Sequence, residues 1–148
     1  MELRRASPHA VTIRPMTESL DDLLRADHDR LDMLLGHARN DVAAARELRA
    51  GLLHHIAFEE ESLFPALKGI ADRTIESLKI DHEVIRGHLD RLVDFAEKGE
   101  SANQTDVAGT LEIYLQGHNR DEEFGVYREI ARLISEPARA ALIAKLKG

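Results

Sequence analysis

Apolar residues recur three and four positions apart along almost the whole chain after Thr17, which is the spacing of one face of an α-helix. The alternating runs typical of strands and the Asn-Gly and Asp-Gly pairs of tight hairpins do not occur in the sequence. This spacing is clearest from Ile75 through Leu92 to Ala96. The pattern therefore predicts an all-α protein.

Capping residues and helix breakers divide this pattern into four long helices and one short helix. The first is predicted from Thr17 or Ser19 to about Arg39, and the others over residues 41–68, 72–98, 103–134 and 137–146. Pro65 lies in the last turns of the second range and should bend that helix or end it early. Short connections make consecutive helices antiparallel neighbours. We therefore expect an irregular leader over residues 1–16 and, over 17–148, an up-down-up-down four-helix bundle with a short C-terminal helix.

The predicted inward faces contain six polar residues where a helical core normally has aliphatic side chains. In chain order they are His28, His55, Glu59, His82, His118 and Glu122. Burying a polar group without a partner costs about 2–7 kcal/mol, against about 5–15 kcal/mol for the stability of a whole domain. A bound metal ion would offset this cost, because imidazole nitrogens and carboxylate oxygens become its ligands.

The spacing of these residues favours two metals rather than one. His55 and Glu59 stand four positions apart, as do His118 and Glu122, so each pair shares one helical face. An Asp-His pair followed by a His-x-x-x-Glu-Glu string occurs once in each half of the chain. Two matching helix pairs would each bring two His and one Glu to the bundle centre. With both carboxylates and one solvent-derived oxygen as bridges, each octahedral metal keeps one open position.

Other polar residues receive weaker assignments. One group of acids is expected either on the solvated surface or holding the ligand histidines: Glu60, Glu61 and Glu123. Asp32, four positions after His28, is an alternative ligand. Tyr114, one turn before His118, either hydrogen-bonds near the site or fills the core. The histidines without a matching carboxylate are interpreted as surface or structural residues: His9, His37, His54 and His88.

Composition excludes several classes of function. The chain has 148 residues, which suits one domain, and a net charge of −7 without a basic block, which argues against nucleic-acid or acidic-membrane partners. With no Cys there is no thiolate zinc site or cysteine-ligated iron–sulfur cluster. The N-terminal segment, broken by Pro8 and Pro15, does not fit a signal peptide, and no window has membrane-span length. We expect a soluble cytoplasmic protein.

Two other metal-binding motifs do not fit the sequence. His82-Glu83 begins a zincin-like string, but Arg86 stands where the second histidine is required. The Glu-x-x-His signature of ferritin-like sites is also missing, because Ser62 and Gly125 follow the two candidate glutamates at that offset.

The strings His55-Ile-Ala-Phe-Glu59-Glu60 and His118-Asn-Arg-Asp-Glu122-Glu123 resemble the paired motifs of the hemerythrin-like, or HHE cation-binding, family. His28 and His82 match its single-histidine helices. The resemblance covers roughly residues 18–146. It implies a four-helix bundle holding a non-heme di-iron centre with carboxylate and oxo or hydroxo bridges.

Two departures from this family narrow the expected function. Oxygen-carrying hemerythrins have a second histidine one turn from the third-helix ligand, whereas Leu78 and Arg86 occupy those positions here. Four histidines instead of five argue against reversible oxygen carriage and favour exchangeable positions on both metals. Members that repair iron–sulfur clusters usually carry a Cys-containing leader domain, and this chain contains no Cys.

The leading hypothesis is a di-iron protein that binds or reacts with oxygen, nitric oxide or peroxide, in sensing, detoxification or iron handling. The four histidines would be terminal ligands, and Glu59 and Glu122 would be bridges. One alternative is a binuclear hydrolase that uses Zn or Mn. Another is an iron store or donor, or an interaction bundle with a structural site. The sequence leaves open whether the protein turns over an oxidant and whether it forms a homodimer.

Overall fold

A computed structural model describes residues 18–148, so the predicted leader over residues 1–16 lies outside the described residues. Within that range the chain forms helices and no strands. The α-helices are α1 (Leu20–Ala38), α2 (Val42–Phe58), α3 (Asp72–Glu97), α4 (Ser101–Gly125), α5 (Ile130–Leu133) and α6 (Glu136–Lys147). The predicted all-α class is confirmed.

Side-chain caps and glycines define several helix ends. The Ser19 side chain accepts a hydrogen bond from the backbone N–H of Asp22 at 3.2 Å, which satisfies a free donor in the first turn of α1. Asp41 caps α2 in the same way. Gly69 and Gly99 adopt φ values of +86° and +72°, which favour glycine, and each follows the end of a helical segment. The predicted first and third helices are therefore confirmed to within about a residue or two.

The second and fourth helices are less regular than predicted. The second is α-helical only to Phe58 and continues as a π-helical turn, Glu59–Leu63, and a 3₁₀ turn, Phe64–Leu67. The expected effect of Pro65 is confirmed, because proline supplies no N–H and cannot extend the helix.

The prediction of one fourth helix reaching Ile134 was wrong. Helix α4 ends at Gly125, where Val126 leaves helical geometry with φ −126° and ψ −60°. A 3₁₀ turn, Tyr127–Glu129, and the short α5 follow. Helix α6 also begins one residue earlier than predicted, so Pro137 is its second residue rather than its first.

The four long helices close into a bundle, because each packs against the next and α4 packs against α1. Two apolar clusters fill the interior. One includes Leu35, Leu48 and Leu89, and the other includes Leu20 and Phe64. Along α1, the buried His28 lies between the two clusters. The polar side chains therefore form a layer between the two apolar clusters.

The 3.6-residue spacing also predicts Ala66 and Gly125 on the inward faces of the second and fourth helices, but both residues are exposed. Both lie where α-helical geometry stops, so the 3.6-residue period no longer determines their direction.

None of the described helices combines the length and apolar character that crossing a membrane requires.

Candidate metal centre

All six predicted site residues are buried and come together in the layer between the two cores. Their exposed fractions do not exceed 5%. Helices α1, α2 and α3 each contribute one histidine, α4 contributes a histidine and a glutamate, and the π-helical turn contributes the other glutamate: His28, His55, His82, His118, Glu122 and Glu59. Inside an α-helical bundle, π-helical turns frequently lie at functional sites.

The six side chains form two overlapping groups of four potential ligand atoms. The first group is His28, His55, Glu59 and Glu122, and the second is His82, His118, Glu59 and Glu122. Within each group the ligand atoms lie within 4.8 Å of one another. Ligands at about 2.1 Å on opposite sides of a metal ion are about 4.2 Å apart, so each group is close to the size of a coordination sphere.

The two shared carboxylates each direct one oxygen to each group. Glu59 Oε2 lies 3.3 Å from Nε2 of His55, and its Oε1 lies 3.2 Å from Nε2 of His82. Glu122 Oε1 lies 3.0 Å from Nε2 of His28, and its Oε2 lies 3.4 Å from Nε2 of His118. This is the arrangement that two carboxylates need in order to bridge two cations.

Three buried atoms at the centre make no hydrogen bond: Glu59 Oε1, His82 Nε2 and Glu122 Oε2. Buried polar atoms without partners are rare in folded proteins and are costly. All three belong to the second group, and all three are atoms that can donate electron pairs to a metal. The donor set therefore fits a transition metal bound by nitrogen and oxygen.

Each histidine is held from outside by a carboxylate that accepts a hydrogen bond from its Nδ1–H. The pairs are His28 with Glu123 (2.7 Å), His55 with Asp27 (2.7 Å), His82 with Glu60 (2.7 Å) and His118 with Asp81 (2.9 Å). These bonds leave each Nε2 facing the centre and make the imidazole a stronger ligand.

The outer carboxylates decide several sequence predictions. Of the three acids given two alternative roles, Glu60 and Glu123 hold histidines, whereas Glu61 is exposed. Asp32 is also exposed, so it does not join the ligand groups. Tyr114 donates a hydrogen bond to Asp81 at 3.1 Å, which is the hydrogen-bonding role of its two predicted alternatives.

The positions one turn from His82, where a fifth histidine was sought, have other contacts. Leu78 is buried in the apolar cluster that contains Phe64. Arg86 donates to Glu60 at 3.0 Å, on the carboxylate that holds His82. Neither residue therefore supplies a ligand atom, and Arg86 supports the carboxylate that holds His82.

The predicted bystander histidines stay apart from the site wherever the structure describes them. His37 and His54 are exposed, and Nδ1 of His88 accepts a hydrogen bond from Arg91 at 2.7 Å. His9 lies outside the described residues.

Without a metal ion, the charges of the buried carboxylates favour a protonated His82. Burial acts to lower the pKa of His82, but the carboxylates of Glu122 and Glu59 raise it to about 10. Burial acts to raise the pKa of Glu122, but the neighbouring imidazoles of His118 and His28 hold it well below its usual range. A metal that binds here displaces protons from the histidines.

Sequence reasoning missed Tyr127, whose hydroxyl lies inside the first group. It donates to Glu59 Oε2 at 2.5 Å and lies 2.9 Å from Nε2 of His55 and 3.2 Å from Nε2 of His28. Burial and the charges of Glu122 and Glu59 raise the pKa of this phenol well above its usual value. The predicted unbroken fourth helix concealed this position, because Tyr127 enters the core only after α4 ends.

The histidine-holding roles of Asp27 and Asp81 were also missed. Each precedes a ligand-candidate histidine in the repeated Asp-His pair, and each bonds to a different histidine of the same half of the chain. The repeat itself was the signal that could have identified both residues.

A scan of protein-family models matches the hemerythrin HHE cation binding domain to residues 19–130. Neither the search of curated proteins nor the search of solved structures finds a match. The matched range covers α1 through α4 and ends at the first residue of α5, so it includes all six candidate ligands and Tyr127. The chain belongs to the hemerythrin HHE cation-binding domain family.

Proposed function

We propose that this protein binds two iron ions in the buried layer and uses them to bind or reduce a small oxidant, namely oxygen, nitric oxide or peroxide. The observation that carries the proposal is the pair of four-atom groups that share Glu59 and Glu122. Two metal ions at unconnected sites would not need the carboxylates that the two groups share. A single metal ion would leave two of the four histidines without a metal to bind.

The chain's residues have distinct roles in this proposal. The four histidines would be terminal ligands, and Glu59 and Glu122 would bridge the two ions. The outer carboxylates fix the imidazole rings and leave each Nε2 directed at the centre for coordination. Two anionic bridges partly neutralise two cations, which makes a buried pair of ions tolerable. When bound, such an iron pair supplies electrons to a small molecule that occupies an open coordination position.

The apolar clusters on both sides of the layer contribute by excluding bulk water. Leu24 and Leu63 on one side, and Leu31 and Leu52 on the other, are at most 4% exposed. An apolar shell controls access to a metal site, so small molecules enter more easily than large ones. This favours a diatomic molecule or peroxide over a large substrate.

The test is metal analysis of the protein purified from iron-replete cells, followed by anaerobic absorption spectra on addition of oxygen, nitric oxide or hydrogen peroxide. We expect about two irons per chain and a spectral change with at least one oxidant. His118→Ala should lower the iron content, whereas His54→Ala, at an exposed histidine, should retain it. Zinc or manganese with no response to oxidants would instead support a binuclear hydrolase. Iron that never responds to an oxidant would support an iron store or a structural site.

A further inference from the structure

The hydroxyl of Tyr127 occupies the centre of the first group of ligand atoms. It contacts Glu59 Oε2 at 2.5 Å, Nε2 of His55 at 2.9 Å, Glu122 Oε1 at 2.9 Å and Nε2 of His28 at 3.2 Å. These four atoms belong to the four residues of the first group. Among the described residues outside the six candidate ligands, no other side chain hydrogen-bonds to these four atoms.

The second group has no equivalent hydroxyl among the described residues. Phe64 lies nine positions after His55, as Tyr127 lies nine positions after His118. Its ring stacks on His82 at 5.9 Å, and the Tyr127 ring stacks on His28 at 5.3 Å. The two aromatic residues are therefore counterparts in the two halves, and only one of them carries an oxygen.

The atoms without hydrogen bonds follow the same asymmetry. All three lie in the second group, at Glu59 Oε1, His82 Nε2 and Glu122 Oε2, whereas Tyr127 contacts the corresponding atoms of the first group. Phenolic oxygen is a good ligand for iron, and a metal drives off its proton as it does that of a bound water.

A surface groove lies beside the second group. Its volume is about 510 Å³, and its lining includes Glu60 and Phe64, both of which contact His82. The groove also includes Lys68 and Lys79. The groove therefore meets the second group at the two residues that contact His82.

We propose that Tyr127 is a ligand of the iron held by His28 and His55, and that the small oxidant binds the other iron, held by His82 and His118. The phenolic proton is released to solvent as the Tyr127 oxygen binds the metal. The two irons are then unequal despite the repeated sequence. This inference rests on the proposed di-iron function.

The first test uses the optical and resonance Raman spectra of the iron-loaded, air-oxidised protein. A tyrosinate bound to ferric iron gives a visible charge-transfer band whose excitation enhances vibrations of the phenolate ring. We expect these signals in the wild type and their loss in Tyr127→Phe. Tyr114→Phe changes the only other tyrosine of the chain and should retain the band, whatever its effect on iron affinity.

Iron content separates this inference from the proposed function. A protein with two irons and no tyrosinate signal, or a Tyr127→Phe variant that keeps the signal, contradicts the inference and leaves the proposed function standing. A protein that binds no iron contradicts both. Circular dichroism checks whether Tyr127→Phe, which removes a single oxygen, is folded like the wild type.

The second test locates the open position with azide, a small anionic probe. Phe64→Tyr adds a phenol on the side of the second group, where it should compete for that position and weaken azide binding at least tenfold. Phe124→Tyr is the control, because Phe124 is 61% exposed. Unchanged azide affinity in a folded Phe64→Tyr variant with two irons would show that the probe does not bind on the side of His82, and would overturn that part of the proposal.

Discussion

Each histidine of the centre has a carboxylate next to each of its two ring nitrogens. The outer nitrogen bonds to a carboxylate that is partly exposed, and the inner nitrogen faces a carboxylate that is fully buried. His55, for example, lies between Asp27 at 2.7 Å and Glu59 at 3.3 Å. The outer acids make the rings rigid and directional, so their loss should weaken metal binding without removing a ligand.

Asp27→Asn tests this outer support. We expect the dissociation constant for iron to rise about 10- to 100-fold, because an amide orients His55 less well and makes it less basic. Competition with a chelator measures the change. Asp29→Asn is the matched control, because Asp29 is exposed two residues away and should leave the affinity within error. Equal affinities for the two variants would show that the Asp27 bond does not support the centre.

The stability of the protein prepared without metal should fall at both ends of the pH scale. The folded-state pKa of His82 is raised from 6.5 to about 10, so its contribution is complete below pH 6.5 and is lost as the pH rises toward 10. The pKa of Glu122 is lowered from 4.5, so its contribution is complete above pH 4.5 and is lost in acid.

Thermal melting of chelator-treated protein from pH 4 to pH 10 measures this dependence. We expect the highest Tm between about pH 4.5 and 6.5 and a steady decline above that range. Iron-loaded protein has the same surface charges but no proton on the ligand nitrogens, so its decline should be smaller. A Tm of the metal-free protein that rises between pH 7 and pH 9 would refute this account.

The helices that supply the glutamates both lose regular α-helical geometry at or just after the site. The second helix widens into a π-turn that begins at Glu59, and α4 stops at Gly125, three residues after Glu122. These irregular turns place Phe64 and Tyr127 over histidines of the opposite half. The site therefore depends on where the helices end as well as on their inward faces.

How far the sequence predicts the structure differs from element to element. The range of α1 and the buried position of His28 were predicted, because apolar periodicity directly reports which side of a helix faces a core. The end of α2 was not predicted, because a π-turn differs from an α-turn in its hydrogen bonds and carries no apolar spacing of its own. The end of α4 was not predicted either, because the apolar spacing continues past Val126, where helical geometry stops. Tyr127 was missed because it enters the core only after α4 ends, although its position mirrors that of Phe64.

The contact between α1 and α2 is close at Gly51. A Cβ atom added there would lie 2.8 Å from Cδ2 of Leu31. The Leu31 side chain is 3% exposed, so it has little room to move away. Gly51→Ala should therefore lower the free energy of unfolding relative to Gly109→Ala, by about 1–3 kcal/mol. At Gly109, in α4, nothing lies within 4 Å of the added atom, so alanine should stabilise that helix by about 0.5–1 kcal/mol.

Urea unfolding of the two alanine variants and the wild type gives this comparison. If Gly51→Ala were as stable as Gly109→Ala, then the glycine would not be required for the approach of α1 to α2. The pair is informative because both changes carry the same gain in helix propensity.

The whole molecule is a pseudo-symmetric bundle built around a polar layer. The first half of the chain, α1 and α2, supplies one pair of histidines, and the second half, α3 and α4, supplies the other. The outer glutamates cross between the halves, since Glu60 holds His82 and Glu123 holds His28. The bonds across the layer mean that metal binding should stabilise the entire fold rather than one helix pair.

Removing the metal should therefore lower the stability of the bundle as one unit. Because a ligand that binds only the folded state adds stability, the iron-loaded protein should melt well above the chelator-treated protein, in a single transition. An excess of iron at 100 times its dissociation constant corresponds to about 2.7 kcal/mol. Differential scanning calorimetry measures both values, and equal melting temperatures would show that the folded bundle does not bind iron in preference to the unfolded chain.

The most direct test of the central claim, that Glu59 and Glu122 bridge two metals, is X-ray absorption at the iron edge of the iron-loaded protein. Both carboxylates span the two groups of ligand atoms, so the irons must be neighbours. We predict nitrogen and oxygen ligands and a second iron within about 4 Å of the first, as in other two-metal sites. Iron without an iron neighbour at that distance would contradict the account.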